Sequence, residues 1–253
     1  MNDVVDTVND SYFKGSYQQA WKNIMQPGLD QAETEFIMDC CQLGESSSVL
    51  DLMCGYGRHA VELARRKVTV TGVDNLGSYV SELDTIAKTE NLPIVSIHGN
   101  VRDLASMNLN LFDAVISMGN SFSFLEKTGT YSLLKNISSH LKVGGSLIIN
   151  SWMITEIAIK HFQEKEWYNA GEYKCILDYK LIWNPTRIIS QQFIIAPDGN
   201  TEVLEGIDYL YSLNEFSDFF KQVGLQFKAA FSTPKKRPFS IGDRQIYIHA
   251  VKI

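Results

Sequence analysis

Along residues 49–151, short apolar runs alternate with stretches in which apolar residues recur every three or four positions. Residues 49–53 predict a strand and 58–66 a helix, then 68–73 a strand and 77–89 a helix. Strands follow at 94–98 and 112–118, a helix at 130–141, and a strand at 146–151. Near-continuous apolar strands separated by helices predict a mostly parallel sheet covered on both faces. The pattern then changes. After a helix at 154–163 come three β-rich stretches, 173–183, 186–196 and 202–211, parted by the turn pairs Asn184-Pro185 and Asp198-Gly199. They predict a small antiparallel sheet inserted into the main fold. A helix at 213–223 and strands at 226–232 and 245–251 close the chain as an antiparallel return. Upstream, Phe13, Tyr17 and Trp21 recur every four positions like one face of a helix, and a second helix is expected at 30–43.

Composition narrows the classes. The 253 residues suit one α/β domain with an inserted lobe rather than two independent domains. Lys and Arg number 23 against 29 Asp and Glu, a net charge of -6 with no basic run, the wrong balance for a nucleic-acid binder. No apolar window is long enough to span a membrane, and the start lacks the basic-then-apolar pattern of a secretory signal. Cys40, Cys41, Cys54 and Cys175 form no CxxC pair, so free thiols in a cytoplasmic setting are expected. No HExxH, His/Cys cluster or short-spaced carboxylate pair points to a metal.

The chemistry concentrates in VLDLMCGYGRHA, residues 49–60, where a strand runs through Gly55-x-Gly57 straight into a helix. Glycines there permit a tight turn and let a ligand approach bare backbone. Gly55-x-Gly57-x-x-Ala60 also satisfies the dinucleotide fingerprint, with Asp74 ending the next strand where it reaches a ribose diol. Asp51 separates the two ligands. A pyrophosphate over this loop meets a carboxylate, a repulsion of about 4 kcal/mol at ~4 Å and an effective dielectric near 20. A ligand with a cationic end gains from the same group, which points to an adenosine carrying a positively charged amino acid.

On these residues the chain resembles a class I S-adenosylmethionine-dependent methyltransferase of the small-molecule type, with good motif density from Val49 to Leu147. The resemblance implies a Rossmann-like methyltransferase fold: a mostly parallel seven-stranded sheet with an antiparallel last strand, and a small antiparallel β lobe inserted after the fifth strand. It implies that Asp51, Cys54, Gly55 and Gly57 line the methionine part of S-adenosylmethionine, and that Asp74 holds the ribose hydroxyls with Asn75 and Leu76 beside the adenosine. HGNVRDL carries Asn100 where such enzymes usually have Asp; its carboxamide oxygen is expected at the adenine amino group, with Val101 alongside. Met118 and Gly119 are expected to follow the cofactor, while Asn120 and Ser121 face the transfer site. The product is S-adenosylhomocysteine, and no metal is expected.

The domain bounds implied are an N-terminal helical lid over 1–45, a cofactor-binding core over 46–152, an inserted helix and β substrate lobe over 153–212, and a C-terminal helix and strands over 213–253 completing the core sheet. Tyr17 is the lid residue expected to touch the cofactor, and with Asn120, Ser121 and Tyr209 it makes up the candidate catalytic set. Trp21, Phe122, Trp152, Tyr209, Tyr211, Arg237 and Arg244 are the candidates for holding the acceptor. The expected reaction is direct in-line transfer of a methyl group to an N or O nucleophile of a small molecule, in a monomer or homodimer that engages neither nucleic acid nor membrane. The competing readings are a nicotinamide-dependent oxidoreductase, whose pyrophosphate Asp51 opposes, and an inactive cofactor-binding regulatory protein.

Overall fold

The computed structural model describes residues 8–253. The first seven residues of the expected 1–45 lid lie outside the described residues. A 3-10 turn at Val8–Ser11 precedes α1 (Ser16–Ile24) and α2 (Leu29–Cys40). The alternating region then runs β1 (Ser48–Leu52), α3 (Arg58–Arg65), β2 (Thr69–Asp74), α4 (Gly77–Thr89), β3 (Ile94–His98), β4 (Phe112–Ser117), α5 (Lys127–His140) and β5 (Leu141–Ser151). After α6 (Thr155–His161) come β6 (Lys165–Ala170), β7 (Tyr173–Trp183), β8 (Thr186–Ile195) and β9 (Thr201–Tyr209). The chain closes with α7 (Leu213–Gln222), β10 (Leu225–Phe231) and β11 (Ile246–Lys252).

The main sheet has seven strands in the order β10-β11-β5-β4-β1-β2-β3, with β11 antiparallel to both its neighbours and the rest of the core parallel. Side chains alternate across it. Leu50, Leu52 and Val115 pack with Leu133, Leu134 and Ile137 of α5 and with the phenylalanines of α7. Val49, Ala114 and Ile116 pack with α2, α3 and Leu83 of α4. Each such buried side chain contributes roughly 1.5–3 kcal/mol, which is why the strands read as continuous apolar runs. The sequence S-x-x-E starts α7 as a capping box: Ser212 Oγ accepts from Glu215 N at 3.2 Å, and Glu215 Oε2 accepts from Ser212 N at 2.8 Å.

Two departures from the sequence reading bear on the site. The lobe is a four-stranded antiparallel sheet, β6-β7-β8-β9, where three stretches were expected. The extra strand, KEWYNA, turns Glu166, Tyr168 and Ala170 to the inner face and leaves Trp167 exposed outside, so its polar composition hides it. The first helix does not run through Phe13: Gly15 has φ 61°, and α1 starts only at Ser16. Phe13 thus projects from a turn, with its ring 5.2 Å from Tyr17. Among the described residues no helix is long and apolar enough to cross a membrane.

Candidate active site

Between β1 and β4 the chain order reverses, β1 pairing onward to β2 and β4 to β5. Loops leaving these strands diverge and open a crevice beyond their carboxyl ends. The cleft there has a volume of about 1020 Å³, its open mouth included. β1 and its following loop line it with Asp51, Met53, Cys54, Gly55 and Tyr56. The ends of β2 and β3 add Asp74, Asn75, Leu76, Asn100 and Val101, and the end of β4 adds Met118, Gly119 and Ser121. Phe13, Tyr17 and Trp21 cover it from the N-terminal side.

Asp51 makes the strongest electrostatic demand. It is 1% exposed, and its Oδ2 meets no hydrogen-bond donor among the described residues. Burial pushes its pKa up to about 8; Arg58 opposes the rise and Asp74 adds to it. Arg58 lines the same cleft but is engaged elsewhere, donating from Nη1 to Asp30 Oδ1 at 2.7 Å and to Glu33 Oε2 at 2.5 Å. Glu33 also pairs with His59 Nε2 at 2.9 Å and accepts from Tyr247 OH at 2.7 Å. Burial works against ionising Glu33, yet these donors outweigh it and hold its pKa at about 2. The arginine charge is therefore shared with Asp30 and Glu33, and Asp51 with Asp74 makes this wall of the cleft acidic. A cationic group that draws the proton off Asp51 fits beside it, whereas a pyrophosphate gains nothing from either carboxyl.

The glycine turn is tied to β2. Asp74 Oδ2 accepts from Gly55 N at 2.8 Å and Oδ1 from Leu76 N at 2.9 Å, leaving each oxygen further acceptor capacity. Burial raises the Asp74 pKa against those donors. Gly57 does not line the cleft. It has φ 83°, and a Cβ there would lie 2.3 Å from Leu83 Cδ1, so its place is where α3 packs closely on α4. Asn100 lines the cleft, but its carboxamide oxygen accepts from Arg102 N at 3.0 Å as the cap of a 3-10 turn rather than standing free for an adenine. Its Nδ2 reaches Asp10 Oδ1 at 3.4 Å, and Arg102 Nη1 reaches the same oxygen at 3.1 Å. Asp10 thereby fastens the N-terminal turn to the end of β3.

A second cavity, of about 1180 Å³ with its mouth, lies between α1 and the inner face of the lobe. It shares Phe13, Tyr17, Trp21, Gly119 and Phe124 with the cleft, so these residues form the boundary between the two. Asn120 stands at the junction as a buried hub. Its Oδ1 accepts from Ser151 Oγ at 2.8 Å, Met153 N at 3.0 Å and Trp152 N at 3.1 Å, while Nδ2 donates to Ser123 Oγ and Asp208 Oδ1. With both ends of its carboxamide engaged, Asn120 positions β5 and β9 rather than acting on a substrate.

Other candidates also move. Phe122 is 1% exposed and packs on Phe216 in the core, and it lines neither the cleft nor the second cavity. Tyr209 and Tyr211 belong to the same core, and Tyr211 OH donates to Leu125 O at 3.0 Å. β9 is buried on both faces at its end, where Tyr209 points away from the cavity, and Tyr211 lies just beyond the strand in a bridge to Ile154. Arg237 lies exposed in a surface loop, its guanidinium paired with Asp243, and it lines neither cavity. Arg244 lines an adjoining cavity beside α6, which shares Trp152, Met153, Glu166 and Tyr179 with the second cavity. Trp21 and Trp152 do line the second cavity, their rings 6.0 Å apart. Ser121 and Tyr17 stay on the cleft.

Sequence reasoning missed Asp208, Tyr168, Tyr179 and Gln192, all on the second cavity, and grouped Tyr12 only with the lid aromatics. An acidic residue at an inward-facing position of β9 was the available signal for Asp208, one it shares with Glu202 at the other end of the strand. It also missed Asn9, whose Nδ2 donates to Ile207 O at 2.8 Å and whose Oδ1 accepts from Ile207 N at 2.9 Å, pinning the N-terminal turn to β9. No group of His, Cys, Asp and Glu able to hold a metal ion is found among the described residues.

The sheet order, the glycine turn after β1 and the acidic end of β2 are those of the class I S-adenosylmethionine-dependent methyltransferase fold. Comparisons with known proteins agree. A family profile described as "Methyltransferase domain" matches residues 49–145. The chain is 29% identical over 121 residues to the probable S-adenosyl-L-methionine-dependent methyltransferase TehB of Haemophilus influenzae, covering 47% of this chain and 41% of that one. It is 31% identical over 161 residues to the ubiquinone biosynthesis O-methyltransferase of Rickettsia akari, covering 63% and 57%. The chain thus spans about half the length of these curated relatives. Among solved structures, the CcbJ methyltransferase from Streptomyces caelestis superposes with a TM-score of 0.78 at 16% identity, over 91% of this chain and 98% of that one.

Proposed function

We propose that this protein transfers a methyl group from S-adenosylmethionine to a nitrogen or oxygen nucleophile of a small molecule. The observation that carries the reading is Asp51, a buried carboxylate with an orphaned oxygen on the cleft wall. An amino-acid ammonium supplies the missing donor and charge. S-Adenosylmethionine supplies a methyl carbon on a sulfonium, open to attack along the line of the breaking C–S bond.

The chain's own residues then bind, orient and enclose. Asp74 receives the ribose hydroxyls on the acceptor capacity its backbone donors leave free. Leu76, Asn75, Asn100 and Val101 flank the adenine, while Cys54, Gly55, Met118 and Gly119 border the methionine part. Tyr17 closes the cleft over the amino-acid carboxylate, and Ser121 sits on the same wall. Orientation alone removes several kcal/mol of the barrier when the reacting atoms are held in line. The aromatic cover keeps water from the donor. In this reading the N-terminal turn and α1 act as the lid, 46–152 with 213–253 as the cofactor core, on which α2 packs, and 153–212 as the acceptor lobe. Four free cysteines suit a cytoplasmic setting.

Titration calorimetry with S-adenosylmethionine, S-adenosylhomocysteine and NADH tests the reading. Binding of the first two and not the third is expected; binding of the dinucleotide alone would remove it.

A further inference from the structure

The second cavity has a chemistry of its own. Tyr12, Tyr17, Trp21, Trp152, Tyr168 and Tyr179 turn ring surfaces or edges toward it. The charged side chains on its wall are two carboxylates, Asp208 and Glu166, with no lysine, arginine or histidine among the described residues that line it. Asp208 is 8% exposed and rigidly aimed: Ser123 Oγ donates to its Oδ1 at 2.5 Å and Asn120 Nδ2 at 3.1 Å. Both donors go to one oxygen, and no donor among the described residues reaches Oδ2 within hydrogen-bond distance. Burial pushes the Asp208 pKa up to about 6, against those two donors. Burial, with Asp208 next, holds the Tyr12 phenol above its usual range; Tyr17 and Tyr179 are raised chiefly by burial, and Asp208 contributes at both.

An acidic acceptor entering this space meets two like charges and no cation. An alcohol or phenol finds no positive group to stabilise its oxyanion. An ammonium gains from the carboxylate and from the aromatic faces together. The phenols are already arranged: Tyr12 OH donates to Gln192 Oε1, and Gln192 Nε2 donates to Tyr168 OH at 3.2 Å. That network engages the Tyr12 hydroxyl and both ends of the Gln192 carboxamide, while Asp208 Oδ2 stays without a donor among the described residues.

We propose that the methyl acceptor is an aliphatic amine, and that Asp208 is the catalytic residue that receives its ammonium and takes its proton. The proposal rests on methyl transfer as the reaction. One N–H bond of the ammonium breaks and its proton passes to Asp208 Oδ2, freeing the nitrogen lone pair. That pair forms the N–C bond as the C–S bond breaks, and the C–S electron pair stays on sulfur. The product leaves as a methylated ammonium, and Asp208 returns its proton to solvent. Ser123 and Asn120 act as positioning residues by fixing the carboxylate.

The test uses the full chain saturated with S-adenosylhomocysteine, following tryptophan fluorescence while cyclohexylamine, cyclohexanol and cyclohexanecarboxylate are titrated at pH 7.5. These three probes share one ring and differ in charge. The amine is expected to bind at least about tenfold tighter than the alcohol, with the carboxylate weakest. In Asp208→Asn that preference collapses to within about threefold, while S-adenosylhomocysteine affinity stays within about threefold of wild type. Equal binding of amine and alcohol by the wild type, or an unchanged preference in Asp208→Asn, overturns the proposal; the wild-type comparison decides even if the variant fails to fold. Failure of S-adenosylhomocysteine to bind is a different result. It removes the transferase reading, and the amine preference measured without it still judges Asp208.

Discussion

Asp51 in the core cleft and Asp208 in the lobe cavity are the same residue type, both almost wholly buried, and they are held in opposite ways. Asp208 is gripped by two side-chain donors, and its pKa settles at about 6. Asp51 has an oxygen with no partner and rises to about 8. Burial raises both, so the difference follows the donors each receives. A carboxylate left without donors in the sheet core is held for a ligand that brings its own charge. A carboxylate already oriented is held ready to take a proton.

Breaking the core side of this pair should give the largest effect. Asp51→Asn is expected to weaken S-adenosylmethionine binding by about 30-fold or more, ~2 kcal/mol, because a buried ion pair becomes a half-pair. The same change reports on stability. The folded pKa of Asp51, about 8, lies above the usual carboxyl value of 3.8, so the fold holds a proton that the unfolded chain releases. Its contribution is fully present below about pH 4 and erodes as the pH climbs toward about 8. Thermal melts of the ligand-free protein should therefore show Asp51→Asn gaining on wild type at pH 8 but not at pH 4.

Asp74→Ala should have a smaller effect on binding, about tenfold by calorimetry, with turnover at saturating cofactor less affected. It removes the acceptors of Gly55 N in the glycine turn and of Leu76 N before α4, along with the sugar contact. Equal affinity in the variant would mean that the ribose lies elsewhere. On the lobe side, a Cβ at Gly206 would lie 2.9 Å from both the Tyr12 ring and Ser190 Oγ. Gly206→Ala should raise the acceptor KM several-fold by displacing Tyr12, and leave the calorimetric affinity for S-adenosylhomocysteine unchanged. The smallest effect belongs to a site remote from both carboxylates. Ser212→Ala removes the α7 cap and should lower unfolding stability by about 1 kcal/mol in urea titration, with kcat unaltered.

The two sites differ as much in how they are written in the chain. The core cleft is assembled from segments that announce themselves: an apolar strand reaching Asp51, glycines just after it, and an acidic residue closing the next strand. Each lies within a short stretch whose backbone geometry its own residues dictate. The lobe cavity has no such local signature. Tyr12 meets Gln192 across 180 residues, and Asn120 meets Asp208 across 88. Strand parity compounds the difficulty, because adjacent residues of a strand point to opposite faces. Choosing Tyr209 and Tyr211 selected the face of β9 that packs into the core, one residue out of step with Gly206 and Asp208. Gly57 was legible as part of the turn but not as a packing contact, since Leu83, which requires it, lies on another helix.

Calorimetric titration of S-adenosylmethionine into the wild-type protein at pH 7, repeated in buffers of different ionisation enthalpy, tests the role of Asp51 most directly. A carboxyl that is protonated when free and ionised against an incoming ammonium requires binding accompanied by release of close to one proton, a release absent from Asp51→Asn. Tight binding with no buffer dependence, or the same proton release from the variant, would contradict it.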